Sequence, residues 1–267
     1  MHPFGCIAFS LSFGGSMIFE DERIDEINDS LRLIQKKSGL TFGTDAYLLY
    51  AYLKKKPMAR AVDLGAGTGI ISLLALNKKK FRAVYAVEIQ KSFAELIERN
   101  ARLNGLEDSL KTICRDVRLI SPELFGGEVD AVFSNPPYMT VNSGFHNENY
   151  EKLVARHEVE GTIFDFCEAA KRILKYGGSF YVVYRPDRLC DLLDALRKNT
   201  LEPKRMTLVY GSENHAPSLV LIEAKKGAAA GLYLTKPLIL TDFKGNETVE
   251  LSNIYKNGAF DERYERP

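Results

Sequence analysis

The sequence is short of several things, and each shortage removes a class of function. Its 267 residues contain only four cysteines, Cys6, Cys114, Cys167 and Cys190, all far apart. They offer no metal-ligand spacing and no disulfide framework, and read as reduced thiols of a cytosolic protein. No apolar run approaches the roughly eighteen residues of a membrane span. Excess charge of one sign is also missing. Lysine and arginine number 36 against 35 aspartates and glutamates, a formal net charge of +1. That balance is no footprint for tight non-specific nucleic-acid binding, so any RNA contact must come from a local patch. Internal repeats and heptads are absent. What remains is 45% hydrophobic and 27% charged, which suits a globular chain with a sizeable core. The length fits one large domain, or one domain with small appendages.

Residues 1–16 are apolar but lack the basic start of a signal peptide. Met17 then opens Met-Ile-Phe-Glu-Asp-Glu, and the codons of Gly14 and Gly15 could form a purine-rich ribosome-binding site. Met17 is therefore expected to be the natural start and residues 1–16 a non-native leader, with a short apolar anchor as the alternative. An intact mass beginning at Met1, from the native locus, would overturn this.

Glu20–Asp29 is acidic and polar. Leu31–Gln35 alternates like a strand, Lys36–Gly39 is a turn, and Leu40–Phe42 is expected to return as a partner strand. Gly43-Thr44-Asp45 precedes an apolar helix over Ala46–Lys54, which Thr44 or Asp45 could cap. Strand and helix then alternate. Strands are predicted over Ala61–Leu64, Arg82–Glu88, Lys111–Cys114, Val129–Ser134 and Ser179–Tyr184. Helices are predicted from Ile70, over Lys91–Leu103 with Asn104-Gly105 as its stop, over Phe164–Leu174, and over Asp187–Lys198. Arg205–Tyr210 and Ser218–Ala224 close the pattern as a strand pair. This alternation argues for a seven-stranded, mostly parallel sheet with helices on both faces. Gly227–Gly231 reads as a hinge, Leu232–Leu240 as one more strand or a surface segment, and Ser252–Pro267 as a frayed polar tail.

Chemistry gathers at the carboxyl ends of these strands, where such sheets bind ligands. Between the first of the alternating strands and its helix lies Asp63-Leu-Gly65-Ala-Gly67-Thr-Gly69, with glycine at alternate positions. Glycine lets a ligand press against main chain where a Cβ would collide. A nicotinamide fingerprint would need its third glycine at Ile70; here it stands at Gly69. Glu88, nineteen residues after Gly69, ends the next strand and can accept from both ribose hydroxyls of an adenosine cofactor, or simply cap the following helix. Asp116 follows the third and can accept from an adenine amino group, or be an ordinary loop acid.

The sharpest signal is Asn135-Pro136-Pro137-Tyr138 after Val129–Ser134. An exocyclic or amide nitrogen is a poor nucleophile because its lone pair is delocalised. The side-chain carbonyl of Asn135 and the main-chain carbonyl of Pro136 can accept hydrogen bonds from such an NH2 group. Those bonds favour the pyramidal nitrogen formed during attack and so strengthen toward the transition state. The prolines, Pro136 and Pro137, stiffen the platform, and Tyr138 offers a face on which a flipped base can stack. This chemistry requires no metal.

Together, Asp63–Gly69, Glu88 and Asn135–Tyr138 resemble the amino-directed class I S-adenosyl-L-methionine (SAM) methyltransferases of the small-domain group, with their Rossmann-like fold. The resemblance to the bacterial tRNA1(Val) (adenine-N6)-methyltransferases is closer still. It covers Asp21 to about Tyr255 and is carried also by Asp21–Asp25, Leu33–Gln35, Phe42–Ala46, Val87–Gln90 and Ala155–Glu158. It implies SAM as cofactor, tRNA as partner, and methyl transfer to N6 of the adenosine at position 37, beside the anticodon. It places Gly43 and Thr44 at the cofactor's methionine end, with Asp63, Gly65, Gly67, Gly69, Glu88, Asp116 and Asn135 completing the cofactor site. The implied organisation is a leader over 1–16, an N-terminal extension and cofactor lid over 17–45, a methyltransferase domain over 46–225 and a C-terminal extension over 226–267. A cytoplasmic monomer or weak dimer, without membrane or metal, is expected. Thr41 and the loop Met139–Tyr150 depart from the family pattern. Asn-Pro-Pro-Tyr also serves enzymes acting on ribosomal RNA, DNA adenine and a protein glutamine amide, so the same chemistry on those substrates stays open. A non-catalytic RNA-binding protein on this scaffold is a further alternative. Arg156-His157-Glu158 could clamp phosphate, order the loop, or form a salt bridge at a helix start. Lys54–Lys56 and Lys78–Lys80 could meet RNA phosphates, but such runs are more often solvated helix ends. Tyr47, Tyr50 and Tyr52 read as packing residues.

Overall fold

Acidic sequence and strand formation prove compatible at the start of the chain. The computed structural model describes residues 18–37, 43–137 and 161–265. Within Glu20–Asp29, β1 (Glu22–Asn28) pairs antiparallel with β2 (Leu31–Lys36). This replaces the expected pairing of Leu31–Gln35 with Leu40–Phe42, which lies outside the described residues. Charge did not prevent the strand because the structure neutralises it. Glu22 is buried and takes both guanidinium nitrogens of Arg99 at 2.6 Å. That pairing holds the Glu22 carboxyl below the usual carboxylate range, against the opposing effect of burial.

The chain then forms α1 (Thr44–Tyr52), β3 (Arg60–Leu64), α2 (Ile70–Asn77), β4 (Ala83–Glu88), α3 (Lys91–Leu103), β5 (Leu110–Cys114) and β6 (Val129–Ser134). After the second gap in the described residues come α4 (Ile163–Ile173), β7 (Leu174–Tyr184), α5 (Leu189–Lys198), β8 (Leu201–Ser212) and β9 (Pro217–Lys226). The sheet order is β8-β9-β7-β6-β3-β4-β5, with β7 to β5 parallel and β8 and β9 antiparallel at one side. These are the seven expected strands. Two more lengthen the sheet: β10 (Tyr233–Leu234) and β11 (Leu238–Thr241) pair in succession with the outer edge of β8.

The period-two alternation of strand side chains sends residues to opposite faces. Ala61, Ala131, Phe133, Tyr181 and Val183 meet α1 and α2 on one face. Val62, Leu64, Val132, Phe180 and Val182 meet α4 and α5 on the other. Each fully buried large apolar side chain contributes about 2 kcal/mol. Thr162 and Asp165 form a reciprocal capping box at the start of α4. Asn104 and the left-handed Gly105 end α3, as its sequence predicts.

The C-terminal segment is a correction. Ser252–Tyr264 does not fray: α6 (Val249–Asn257) buries Leu251 and Ile254, and Tyr264 is fully buried. Arg205 reaches from β8 to Glu265 at 2.7 Å and to the buried Glu223 at 3.2 Å. A few apolar anchors and one cation hold a segment whose composition reads as polar. Lys80 is a second correction. It is buried, and its Nζ donates to the carbonyls of Tyr50, Ala51 and Leu53 at the end of α1. Burial, helped by Arg205 and Lys55, pushes its pKa down to about 7. It is a helix-end cap, neither an RNA contact nor a solvated lysine. Tyr50 and Tyr52 are buried and Tyr47 half-buried, as packing residues should be. Among the described residues no helix is long and apolar enough to cross a membrane, and no acid, histidine or cysteine cluster could hold a metal.

Candidate functional site

Hydrogen bonds between neighbouring strand ends assemble the site. Gly65 N and Ala66 N donate to Val87 O at 2.9 and 3.0 Å, seating the glycine turn against the end of β4. Ser134 Oγ donates to Leu64 O at 2.8 Å, which ties the end of β6 to the end of β3. Asn135 therefore emerges beside the turn. Gly65, Gly67 and Gly69 all have positive φ, at 69°, 56° and 79°. At Gly67 a Cβ would meet nothing within 4 Å, so its main chain faces open space a ligand can enter. Asn100 of α3 reaches the turn at Thr68 O (3.4 Å) while also bonding both main-chain groups of Ile34 in β2. The N-terminal hairpin and the turn thus share one clamp.

Glu88 is buried at the end of β4. Its Oε2 accepts from Gly67 N at 2.8 Å and its Oε1 from Gln90 N at 2.9 Å. These bonds fix the direction of its carboxylate at the edge of the glycine turn. Asp116 lies two residues beyond Cys114, the residue of β5 that pairs with Glu88 in register. It caps a short turn through Arg118 N at 2.8 Å and pairs with the Arg118 guanidinium at 2.9 Å. Burial pushes its pKa up, but those Arg118 bonds outweigh it and hold the carboxyl below its ordinary value. Asp63 sits beneath the turn rather than along it. Its Oδ2 accepts from Ser72 Oγ of α2 at 2.7 Å, and burial pushes its pKa up to about 7.

The segment before β3 closes the far side. Gly43, rather than Thr44 or Asp45, is the N-cap of α1, and no side chain caps that helix. Asp45 turns elsewhere. Its Oδ1 accepts from Ala46 N at 2.8 Å, and its Oδ2 accepts from Asn135 Nδ2 at 3.0 Å. This contact was missed in the sequence, where Asp45 read as a helix cap within a segment over the cofactor's methionine end; a separation of 90 positions leaves no local signal. Pro136 and Pro137 follow Asn135 beyond the end of β6, outside any helix or strand. Tyr138, the loop Met139–Tyr150 and Arg156-His157-Glu158 lie outside the described residues.

The arrangement brings the glycine turn, Glu88, Asn135 and the start of α1 to one edge of the sheet. The donor set fits an adenosine cofactor: open glycine main chain, a fixed buried carboxylate at the next strand end, and a further acid one strand on. Residues 37–199 match the model of the methyltransferase small domain. A Bacteroides fragilis tRNA1(Val) (adenine(37)-N6)-methyltransferase is 28% identical over 186 residues, covering 70% of this chain and 77% of its own length. A Porphyromonas gingivalis protein of the same name is 28% identical over 195 residues, covering 71% and 76%. A crystal structure from Agrobacterium tumefaciens, described as a predicted O-methyltransferase, superposes with a TM-score of 0.64 at 21% identity, over 82% of this chain and 98% of that one. At that identity the likeness carries the fold alone.

Proposed function

This chain belongs to the methyltransferase small-domain family, and from that premise we propose that it methylates N6 of the adenosine at position 37 of a valine tRNA. It is a SAM-dependent N-methyltransferase with a Rossmann-like fold. When bound, SAM supplies an activated, electrophilic methyl group. Gly65, Gly67, Gly69, Glu88 and Asp116 would hold it, with Gly43 and Thr44 at its methionine end and Asp63 supporting the turn from below.

The observation that carries the choice of an amino acceptor is Asn135 beside the glycine turn, with its NH2 end already occupied by Asp45. The carbonyl end of the amide, together with the Pro136 carbonyl, then serves as acceptor for the two hydrogens of the substrate's amino group. As the nitrogen becomes pyramidal its N–H bonds grow more polar, so both hydrogen bonds strengthen toward the transition state. Tyr138 would stack the flipped base. Holding acceptor and donor in line does most of the work, because the leaving group needs no further activation. The adenosine and the tRNA are supported by the curated relatives, whose names specify that reaction.

The test is methyl transfer from labelled SAM to total tRNA of a strain lacking the gene, read by nucleoside mass spectrometry. N6-methyladenosine is expected in valine tRNA, and Asn135→Ala should keep SAM affinity while losing about 100-fold or more of the turnover. Label found instead in ribosomal RNA or protein would overturn the tRNA assignment and keep the chemistry. Equal loss of SAM affinity and turnover in Asn135→Ala would overturn its role toward the substrate.

A further inference from the structure

A hydrogen bond to an amide orients it as well as holding it. An ionised carboxylate only accepts hydrogen bonds. Asp45 Oδ2, 3.0 Å from Asn135 Nδ2, therefore selects the NH2 end of that amide and repels the carbonyl end. The two ends of an asparagine amide are otherwise nearly interchangeable in shape, so this neighbour decides which one faces the substrate. Asp45 is itself anchored. Its Oδ1 takes Ala46 N in the first turn of α1, where the helix's aligned peptide dipoles favour a carboxylate. Gly43 makes the room. A Cβ there would lie 2.7 Å from Asp45 Oδ1, nearer than a carbon can approach. Its φ of −95° suits any residue, so space rather than backbone conformation calls for glycine.

We propose that Asp45 is a positioning residue for methyl transfer: it turns the Asn135 carbonyl oxygen toward the acceptor amino group, and Gly43 is glycine so that the Asp45 carboxylate can fold back to do so. The inference rests on the reading of Asn135 as acceptor of the substrate's amino hydrogens. With the amide reversed, NH2 would face NH2, donor against donor, and the stabilisation of the pyramidal nitrogen would be lost.

Asp45→Asn tests this with little change of shape. The new amide can offer its own NH2 to the Asn135 carbonyl, which removes the bias. The turnover number for tRNA methylation should fall about 10- to 100-fold, with KM for tRNA and the calorimetric Kd for SAM within about threefold of wild type. Asp45→Glu, which keeps an acceptor, should recover part of the loss. A second readout is independent of activity. The Asn135 side-chain 15N–1H resonances, assigned by their disappearance in Asn135→Ala, should move in both Asp45→Asn and Gly43→Ala. Should Asp45→Asn not fold, Gly43→Ala carries the resonance test from outside the helix, since that readout does not depend on cofactor affinity. Full turnover in Asp45→Asn, or unmoved Asn135 resonances in both variants, would overturn the proposal, as would parallel loss of SAM affinity and turnover. If the wild-type protein methylates no RNA, it is the parent reading that fails, and the resonances still decide whether Asp45 holds Asn135.

Discussion

Asp63 is the group whose perturbation has the most calculable result. Its carboxyl is 1% exposed beneath the glycine turn. Oδ2 accepts from Ser72 Oγ, and Oδ1 is buried without a partner among the described residues. Burial disfavours the charged form and pushes the pKa from 3.8 up to about 7; Ser72 opposes the rise and the Glu88 carboxylate adds to it. Between these two values the folded protein holds a proton that the unfolded chain has released. Its contribution to stability is therefore complete at acid pH, falls as pH rises through the window, and levels off above about 7. At 1.36 kcal/mol per unit the whole shift corresponds to about 4 kcal/mol, of which about 2 to 3 falls between pH 5 and pH 8. Asp63→Asn keeps the shape and an acceptor for Ser72 but cannot ionise. Urea unfolding of both proteins at pH 5 and pH 8 isolates Asp63, because the other titrating groups cancel in the difference. Going from pH 5 to pH 8, wild type should lose about 2 to 3 kcal/mol relative to the variant. A difference that stays constant, or moves in wild type's favour, would refute the reasoning and mean that Asp63 is already ionised in the folded protein.

Two further substitutions separate cofactor binding from scaffold. Glu88→Ala removes the acceptor for Gly67 N and Gln90 N. SAM affinity should fall about tenfold or more by calorimetry, and stability by about 1 to 3 kcal/mol; unchanged SAM affinity would remove Glu88 from the cofactor site. Arg205→Ala leaves Glu223, 2% exposed, with Lys54 as its remaining ion-pair partner. A stability loss of about 3 kcal/mol is expected in urea, together with faster proteolysis beyond Lys226. A loss below about 1 kcal/mol would show that the C-terminal segment is held mainly by its apolar anchors.

Most of the sheet is legible in the sequence because its strands are buried on both faces and read as short apolar runs between glycines and acids. Val129–Ser134 and Lys91–Leu103 coincide with the observed elements residue for residue. The glycine turn, Glu88 and Asn135 are legible for a related reason: in a parallel sheet the chemistry concentrates at strand ends, so position along the chain foretells position in space. The first hairpin is different. Glu-Arg-Ile-Asp-Glu-Ile-Asn carries little apolar pattern; its strand is held by Arg99 of α3 at Glu22 and by pairing with β2, which Asn100 of α3 fixes at Ile34. The C-terminal segment likewise depends on residues far upstream, Arg205 above all.

By itself the sequence determined the periodic elements, the parallel sheet and the identity of the atoms at its carboxyl edge, since those follow from local pattern and strand direction. Only the tertiary structure decided what each of those atoms faces. It put the Asp63 carboxyl under the turn against Ser72, gave Arg118 to Asp116, and set Lys80 on the end of α1. It also brought Asp45 to Asn135 across 90 residues of chain. Hydrogen bonds act over about 3 Å of space and without regard to distance along the chain, so their partners become fixed only when the sheet is assembled.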